Sequence, residues 1–212
     1  MGYPNSLNWD ALEPTWINLR YNQEPDDFVY VTDYGTKIIS NSGNNGASAS
    51  GRVKGVADGS FKIAFVLGYS WGWSSFYAAN INAISNIASP VGGDFATSGY
   101  NGMRFINNSS NNKLEISKGE GTTTTLLTDT TGVNNTVISF WRNESNVVKY
   151  RVGSNNVVTV GTYTDPWVFY HTAQSPCSVE LKTCHNNNPP SAVVACRVAI
   201  NNSGNLTLFR GH

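Results

Sequence analysis

The 212-residue sequence predicts an all-β protein, an antiparallel β-sandwich with little helix. Three observations predict it. Roughly a dozen short runs rich in Val, Ile, Thr and aromatic residues recur along the chain, each bounded by Gly, Asn, Asp, Ser or Pro. Apolar residues alternate within the clearest run, residues 60–67 (SFKIAFVL), which sets Phe61, Ile63 and Phe65 on one face. The stretch 136–161, TVISFWRNESNVVKYRVGSNNVVTVG, holds three such runs separated by two tight polar breaks, and reads as a three-stranded meander.

The elements follow in order. Residues 1–25 form an irregular lead-in, with one short strand near Trp16 to Arg20. Residues 27–32 (DFVYVT) and 36–40 (TKIIS) flank Asp33-Tyr34-Gly35 and make a hairpin. Residues 41–51, NSGNNGASASG, are too polar for a core position and read as an exposed loop. The best helix candidate is 76–88 (FYAANINAISNIA), weakened by its asparagines and closed by Pro90. Strands are expected at 102–106, 113–118 and 122–127, then in the meander, then at 166–171, 178–183, 191–201 and 205–209. The whole chain, 1–212, is read as one sandwich domain.

The meander permits a register on paper. Centring its first turn between Glu144 and Ser145 sets Trp141 opposite Val148, Ser139 opposite Tyr150 and Val137 opposite Val152. That register buries Trp141, Val148 and Tyr150 and leaves Lys149 and Arg151 in water. A slip of one residue would exchange the two faces.

Composition excludes several classes of function. Charged residues make up 13% of the chain against roughly 25% in an average globular protein. Solubility therefore rests on Asn, Ser, Thr and Gly, a surface common on secreted and virion-exposed β proteins. The formal net charge is zero and no basic stripe stands out, which argues against a nucleic-acid partner. No apolar run reaches the roughly 18 residues of a membrane span. The opening MGYPNSLNWDALEP lacks the charged start and apolar block of a signal peptide, and its formal MGxxxS match is weakened by Pro4.

Of the three cysteines, Cys177 and Cys184 lie seven steps apart on one expected strand. That span is about 23 Å, too far for a bridge. Cys184 and Cys196 flank the Pro189-Pro190 turn, where a hairpin can set them opposite each other. Three reduced, buried thiols are the plainer reading. An odd count without CxxC argues against zinc, and His171, His185 and His212 show no ligand spacing. Six Asn-x-Ser/Thr sequons, at Asn107, Asn108, Asn134, Asn143, Asn201 and Asn205, are about what this composition produces by chance.

From Gly59 onward the order of elements resembles the concanavalin A-like jelly roll, in the broad sense that includes laminin-G, SPRY and lectin-like modules. SFKIAFVL resembles its first core strand, and NGMRFINNSSNNKLEI its ligand-side hairpin. The meander resembles its run of a strand ending in a basic residue, an Asn-rich turn, Val-Lys-Tyr, a second turn and a valine-rich strand, and PWVFYHTAQSPCSVEL the following core strand and its return. The likeness covers about residues 59–183. It implies glycan or protein recognition more often than catalysis. The β-glucanase members carry Glu-x-Asp-x-x-Glu on a strand; the nearest fragment here, Glu24-Pro25-Asp26, lacks the last Glu and contains a proline. The legume-type members hold metals with an Asp/Asn cluster that has no counterpart in this sequence, so no cofactor or metal is expected.

The candidate ligand-binding residues come from the stretch 68–80, GYSWGWSSFYAAN, and one loop beyond it. Tyr69, Trp71, Trp73 and Tyr77 offer aromatic faces that stack on sugars or anchor partners. Asn80 offers an amide, and Asp94, in PVGGDF, a carboxylate. The alternative is that these rings cover a sandwich edge and that Asp94 is a turn residue. No GxSxG and no Ser/His/Asp set is identifiable. The leading expectation is a non-enzymatic module that binds glycans or a surface receptor on a virion or extracellular surface. A virion structural or decoration protein, contacting other subunits and compatible with a homo-oligomer, is second. A polysaccharide hydrolase is third.

Overall fold

Strand dominates the computed structural model, as the alternation predicts. The structure describes residues 11–20, 29–40, 49–69, 73–84, 86, 90–108, 113–129, 135–173, 177–186, 197–200 and 206–209. The strands are β1 (Trp16–Asn18), β2 (Val29–Thr32), β3 (Lys37–Ser40), β4 (Gly51–Val53), β5 (Phe61–Tyr69), β6 (Trp73–Asn80), β7 (Gly102–Asn108) and β8 (Lys113–Gly119). They continue as β9 (Thr123–Asp129), β10 (Val137–Arg142), β11 (Val147–Val152), β12 (Val158–Thr162), β13 (Trp167–Ala173), β14 (Cys177–Asn186), β15 (Arg197–Ile200) and β16 (Leu206–Phe209).

Two seven-stranded sheets result. One runs β1-β4-β13-β6-β7-β8-β9 and the other β12-β11-β10-β5-β14-β3-β2. Every pairing within them is antiparallel. β15 and β16 pair as a separate two-stranded sheet. The chain passes from the second sheet to the first between Tyr69 and Trp73, so β5 and β6 are consecutive in sequence but belong to opposite layers.

The inner faces meet in one aromatic core. Phe61, Ile63 and Phe65 of β5 are all fully buried, as their alternation requires. Phe65 stacks on Phe76 at 4.1 Å, and Phe140 stacks on Trp167 at 5.7 Å. Such ring pairs contribute about 0.5–1.5 kcal/mol each beyond the area they bury. β14 keeps its phase through a bulge at Lys182: Leu181 pairs with Phe65 and Thr183 with Ala64. The extra residue turns Cys184 inward beside Cys177, Val179 and Leu181, although its number has the opposite parity. Cys177 and Cys184 are free, buried thiols on that one strand, and Cys196 lies outside the described residues.

Three expectations need correction. First, the meander is shifted by one residue. Phe140 faces Tyr150 and Arg142 faces Val148, while Trp141 faces Lys149. Val148 and Tyr150 are buried as expected, but Trp141 stands half-buried on the outer face and Arg142 is fully buried. The loop causes it. Asn146 adopts a left-handed φ of 60° and donates to the Asn143 carbonyl, while the Asn143 amide donates to Val147 O. Three residues, not two, therefore lie between the paired ends, and an odd loop exchanges the faces.

Second, the helix candidate at 76–88 opens as strand and forms no α-helix among its described residues. β6 runs through Asn80, and only Ile81–Ala83 forms a single 3-10 turn, with the Asn80 side chain accepting from the Asn82 amide. Phe76 and Ala78 face the core while Tyr77 and Ala79 face outward, the period of a strand. Third, the polar stretch 41–51 does not stay exposed to its end. Ala49 and Ser50 are buried, and Gly51 starts β4, a strand that the sequence reading lacked.

Candidate functional site

The six residues singled out from sequence do not converge. β6 holds Trp73 at one end and Asn80 at the other, a span of roughly 23 Å for a strand of that length. Tyr69 closes β5, with its backbone opposite Cys177, at the Trp73 end of the sandwich. Trp71 and the side chains of Tyr69 and Trp73 lie outside the described residues. Tyr77 and Asp94 belong to a third place, a second apolar cluster on the outer face of the first sheet.

That cluster exists because the segment leading from β6 to β7 folds back over the sheet. Phe95 and Ile84 pack on Tyr77, Ala79, Val168 and Tyr170. Tyr77 stacks on Tyr170 at 5.0 Å with nearly parallel rings. Asp94 accepts from the Val91 amide at 2.9 Å, and the Tyr170 hydroxyl donates to the Val91 carbonyl at 3.1 Å. Burial pushes the Asp94 carboxyl above its ordinary range, and the Val91 amide pulls it back. At its outer margin Arg104 meets Glu115 at 2.7 Å and lies over the Phe95 ring. Tyr77 and Asp94 are thus engaged in holding this covering segment.

Two glycines fix how closely the segment lies. A Cβ on Gly102 would sit 2.4 Å from the Phe95 carbonyl oxygen and 2.8 Å from that of Ala78. One on Gly119 would sit 2.6 Å from the Ala96 Cα. Both obstacles are backbone, which cannot rotate aside. Gly102→Ala is therefore expected to cost about 2 kcal/mol or more of stability. A urea titration against wild type measures it, and an unchanged midpoint would refute the close packing.

Where this segment rejoins the sheet ahead of β7 it forms a cleft. The cleft is open to solvent, has a volume of about 270 Å³, and is lined by Gly99, Tyr100, Asn101 and Glu120. Tyr100 is 37% exposed, so part of its ring is available for contact. Asn101 accepts a bond from Trp167 Nε1 at 2.8 Å through its Oδ1. Glu120 accepts one from the Tyr163 hydroxyl at 3.0 Å through its Oε1. Burial and the neighbouring Glu120 push the Tyr163 hydroxyl up to about 12, so it remains a donor at any ordinary pH. Of the sequence-predicted residues, Asn80 comes nearest: its amide donates to the Asn101 carbonyl at 3.1 Å, although its side chain is buried in the turn cap.

The connection that carries Tyr163 is anchored by Arg142. Its Nε donates to the Gly59 carbonyl, Nη1 to Tyr163 and Asp165 at 3.2 and 2.6 Å, and Nη2 to Ala57 at 3.0 Å. The guanidinium also lies over the Phe61 ring. Desolvation lowers its pKa, while Asp58 and Asp165 oppose the shift. Arg142 thus ties the β12–β13 connection, which carries Tyr163, to the strand end before β5. Sequence reasoning missed the cleft because its lining comes from two loops, and missed Arg142 because the register placed it outside.

At the opposite end the core turns polar. Ser74 Oγ donates to the Ser178 carbonyl across the sheets at 3.0 Å, and Asn107 Nδ2 to that of Leu67 at 3.3 Å. His171 is fully buried, with Nδ1 2.6 Å from the Ser75 carbonyl and Nε2 3.6 Å from the Cys177 sulfur. Burial drives this imidazole down to about 4 and the Cys177 thiol up to about 12. Both are neutral at pH 7, so the pair lacks the thiolate that nucleophilic chemistry uses. Among the described residues, no three His, Cys, Asp or Glu side chains gather into a metal-holding group.

No protein-family model and no curated protein matches the chain. Likeness appears among solved structures. The TRIM65 PSpry domain aligns with a TM-score of 0.54 over 80% of this chain and 91% of its own, at 8% identity. The carbohydrate-binding module CBM66 from Bacillus subtilis aligns at 0.49 over 81% and 94%, at 9% identity. A Bacillus licheniformis beta-glucanase aligns at 0.45 over 87% and 95%, at 10% identity. At such identities the likeness speaks to fold alone. The chain is an antiparallel β-sandwich of the concanavalin A-like jelly-roll type, as its sequence pattern resembles.

Proposed function

We propose that this chain is a non-enzymatic recognition module that binds glycans, displayed on an extracellular or virion surface. The observation that carries the reading is the open cleft beside Tyr100, which presents an aromatic ring, an amide and a carboxylate together. Those are the groups that recognise a sugar: a ring face for its C–H surface and polar atoms for its hydroxyls. Binding rather than turnover is supported by the lining among the described residues, where Glu120 is the single carboxylate and glycoside hydrolysis usually takes a flanking pair. The low charge and the Asn/Ser/Thr/Gly-rich surface support display outside a cell.

A glycan array tests the reading. Wild-type protein is expected to give specific hits, and Tyr100→Ala to lose about tenfold or more in affinity while its thermal unfolding stays within a few degrees. Trp71→Ala and Trp73→Ala test the aromatic stretch at the far end in the same experiment. Loss in those two with none in Tyr100→Ala moves the site there. The absence of any glycan hit overturns the proposal.

One observation favours assembly with other subunits as a second reading. β12 is an edge strand, the segment 153–164 that contains it has no charged residue, and Val157 and Val158 are exposed. An unguarded edge is a site for strand pairing. A native mass measurement showing a stable symmetric oligomer, without glycan binding, would favour this reading.

A further inference from the structure

Resting on the glycan reading, we infer that the Tyr100–Glu120 cleft selects neutral sugars and rejects those that carry a carboxylate. The argument is one of committed and uncommitted atoms. Asn101 spends its Oδ1 on Trp167 Nε1, so the group it keeps for a ligand is the Nδ2 donor. Glu120 accepts the bond from the Tyr163 hydroxyl on Oε1 and keeps Oε2, an acceptor with a negative charge. The bond from Tyr163 restrains Glu120, which is otherwise exposed. The cleft thus offers the Asn101 donor, one charged acceptor and the Tyr100 ring face with its hydroxyl. A pyranose with free hydroxyls satisfies all three: one hydroxyl donates to Glu120, another accepts from Asn101, and the C–H face lies on Tyr100.

An acidic sugar meets a different field. Among the described residues, the cleft lining includes no lysine or arginine to neutralise a second carboxylate. Arg142 is fully buried and directs four of its five N–H donors to the carbonyls of residues 57, 59, 163 and 165. Two like charges roughly 5 Å apart at a solvent-open surface repel enough to weaken binding by about tenfold. That repulsion is screened as salt rises.

The test measures affinities of wild type and Glu120→Gln for neutral oligosaccharides and for the same cores capped with a uronic or other carboxylated sugar. The neutral forms are expected to bind about tenfold tighter than the capped ones at low salt, with the gap narrowing at high salt. Glu120→Gln keeps the shape, weakens neutral binding by a few-fold through loss of the charge-assisted bond, and abolishes the gap. Capped sugars that bind as tightly as neutral ones overturn the selectivity while leaving glycan recognition intact. A gap that survives Glu120→Gln overturns the assignment to this cleft. No binding of either class overturns the glycan reading itself, and the selectivity with it.

Discussion

Replacing Arg142 with methionine is expected to destabilise the protein by about 3–5 kcal/mol, the largest effect of any single substitution considered. The guanidinium is fully buried and is the shared donor for carbonyls at residues 57, 59, 163 and 165. Methionine fills much of the volume but donates nothing. The Ala57 carbonyl keeps its bond from the Trp167 amide, but the other three lose the guanidinium donor, and each carbonyl left unpaired costs about 1–3 kcal/mol. Arg142→Lys retains the charge but not the planar fork, and is expected to recover only part of the loss. Arg151→Met, on an exposed position of the neighbouring strand, is expected to change stability by less than about 0.5 kcal/mol. Guanidinium chloride unfolding of the three variants decides the matter. Equal stabilities for Arg142→Met and Arg151→Met would remove Arg142 from its structural role. The same loss releases the connection bearing Tyr163, so the cleft should lose order together with the core.

Acid is expected to weaken the fold by about 3 kcal/mol through His171 alone. The imidazole titrates near 4 in the folded state because it is fully buried, against an ordinary value of 6.5. Above pH 6.5 both states hold it neutral and it contributes no pH dependence. Between 6.5 and 4 the unfolded state binds a proton that the folded state refuses, so stability falls as pH falls. Below 4 the folded state takes the proton too, and the loss levels off. Its neighbours do not mask the effect: the Cys177 thiol stays protonated throughout, and the other contacts are the Ser75 carbonyl and the Trp16 ring. Carboxylates add their own acid slope, so the measurement is a difference. Denaturant unfolding of wild type and His171→Leu at pH 7 and pH 4 should show wild type losing about 3 kcal/mol more than the variant. Equal losses would show that the imidazole is not held neutral by burial.

Much of the sandwich was legible in the residues. The alternation at Phe61, Ile63 and Phe65, and the hairpin around Asp33-Tyr34-Gly35, report local geometry that a strand imposes on any sequence. The stretch 76–88 misled because Ala and Asn bias it toward helix or turn, while packing between β13 and β7 imposes strand. The meander misled by one residue because Asn143-Glu144-Ser145-Asn146 fits an even or an odd loop equally well. The left-handed Asn146 chose the odd one, and with it which of Trp141 and Arg142 went inside. The aromatic stretch reads as one patch in the chain, yet Tyr69 closes β5, Trp73 opens β6, and Phe76 and Tyr77 lie on opposite faces of β6.

What the sequence alone determined, then, is the layer architecture: period-two alternation and turn residues act between near neighbours, and such signals are written in consecutive positions. Only the tertiary structure decided the site. Tyr100, Glu120 and Tyr163 belong to three separate connections, and Arg142 finds its carbonyls up to 85 residues away. Those meetings depend on which strands adjoin and in what register, and a one-residue step in a single loop is enough to change them.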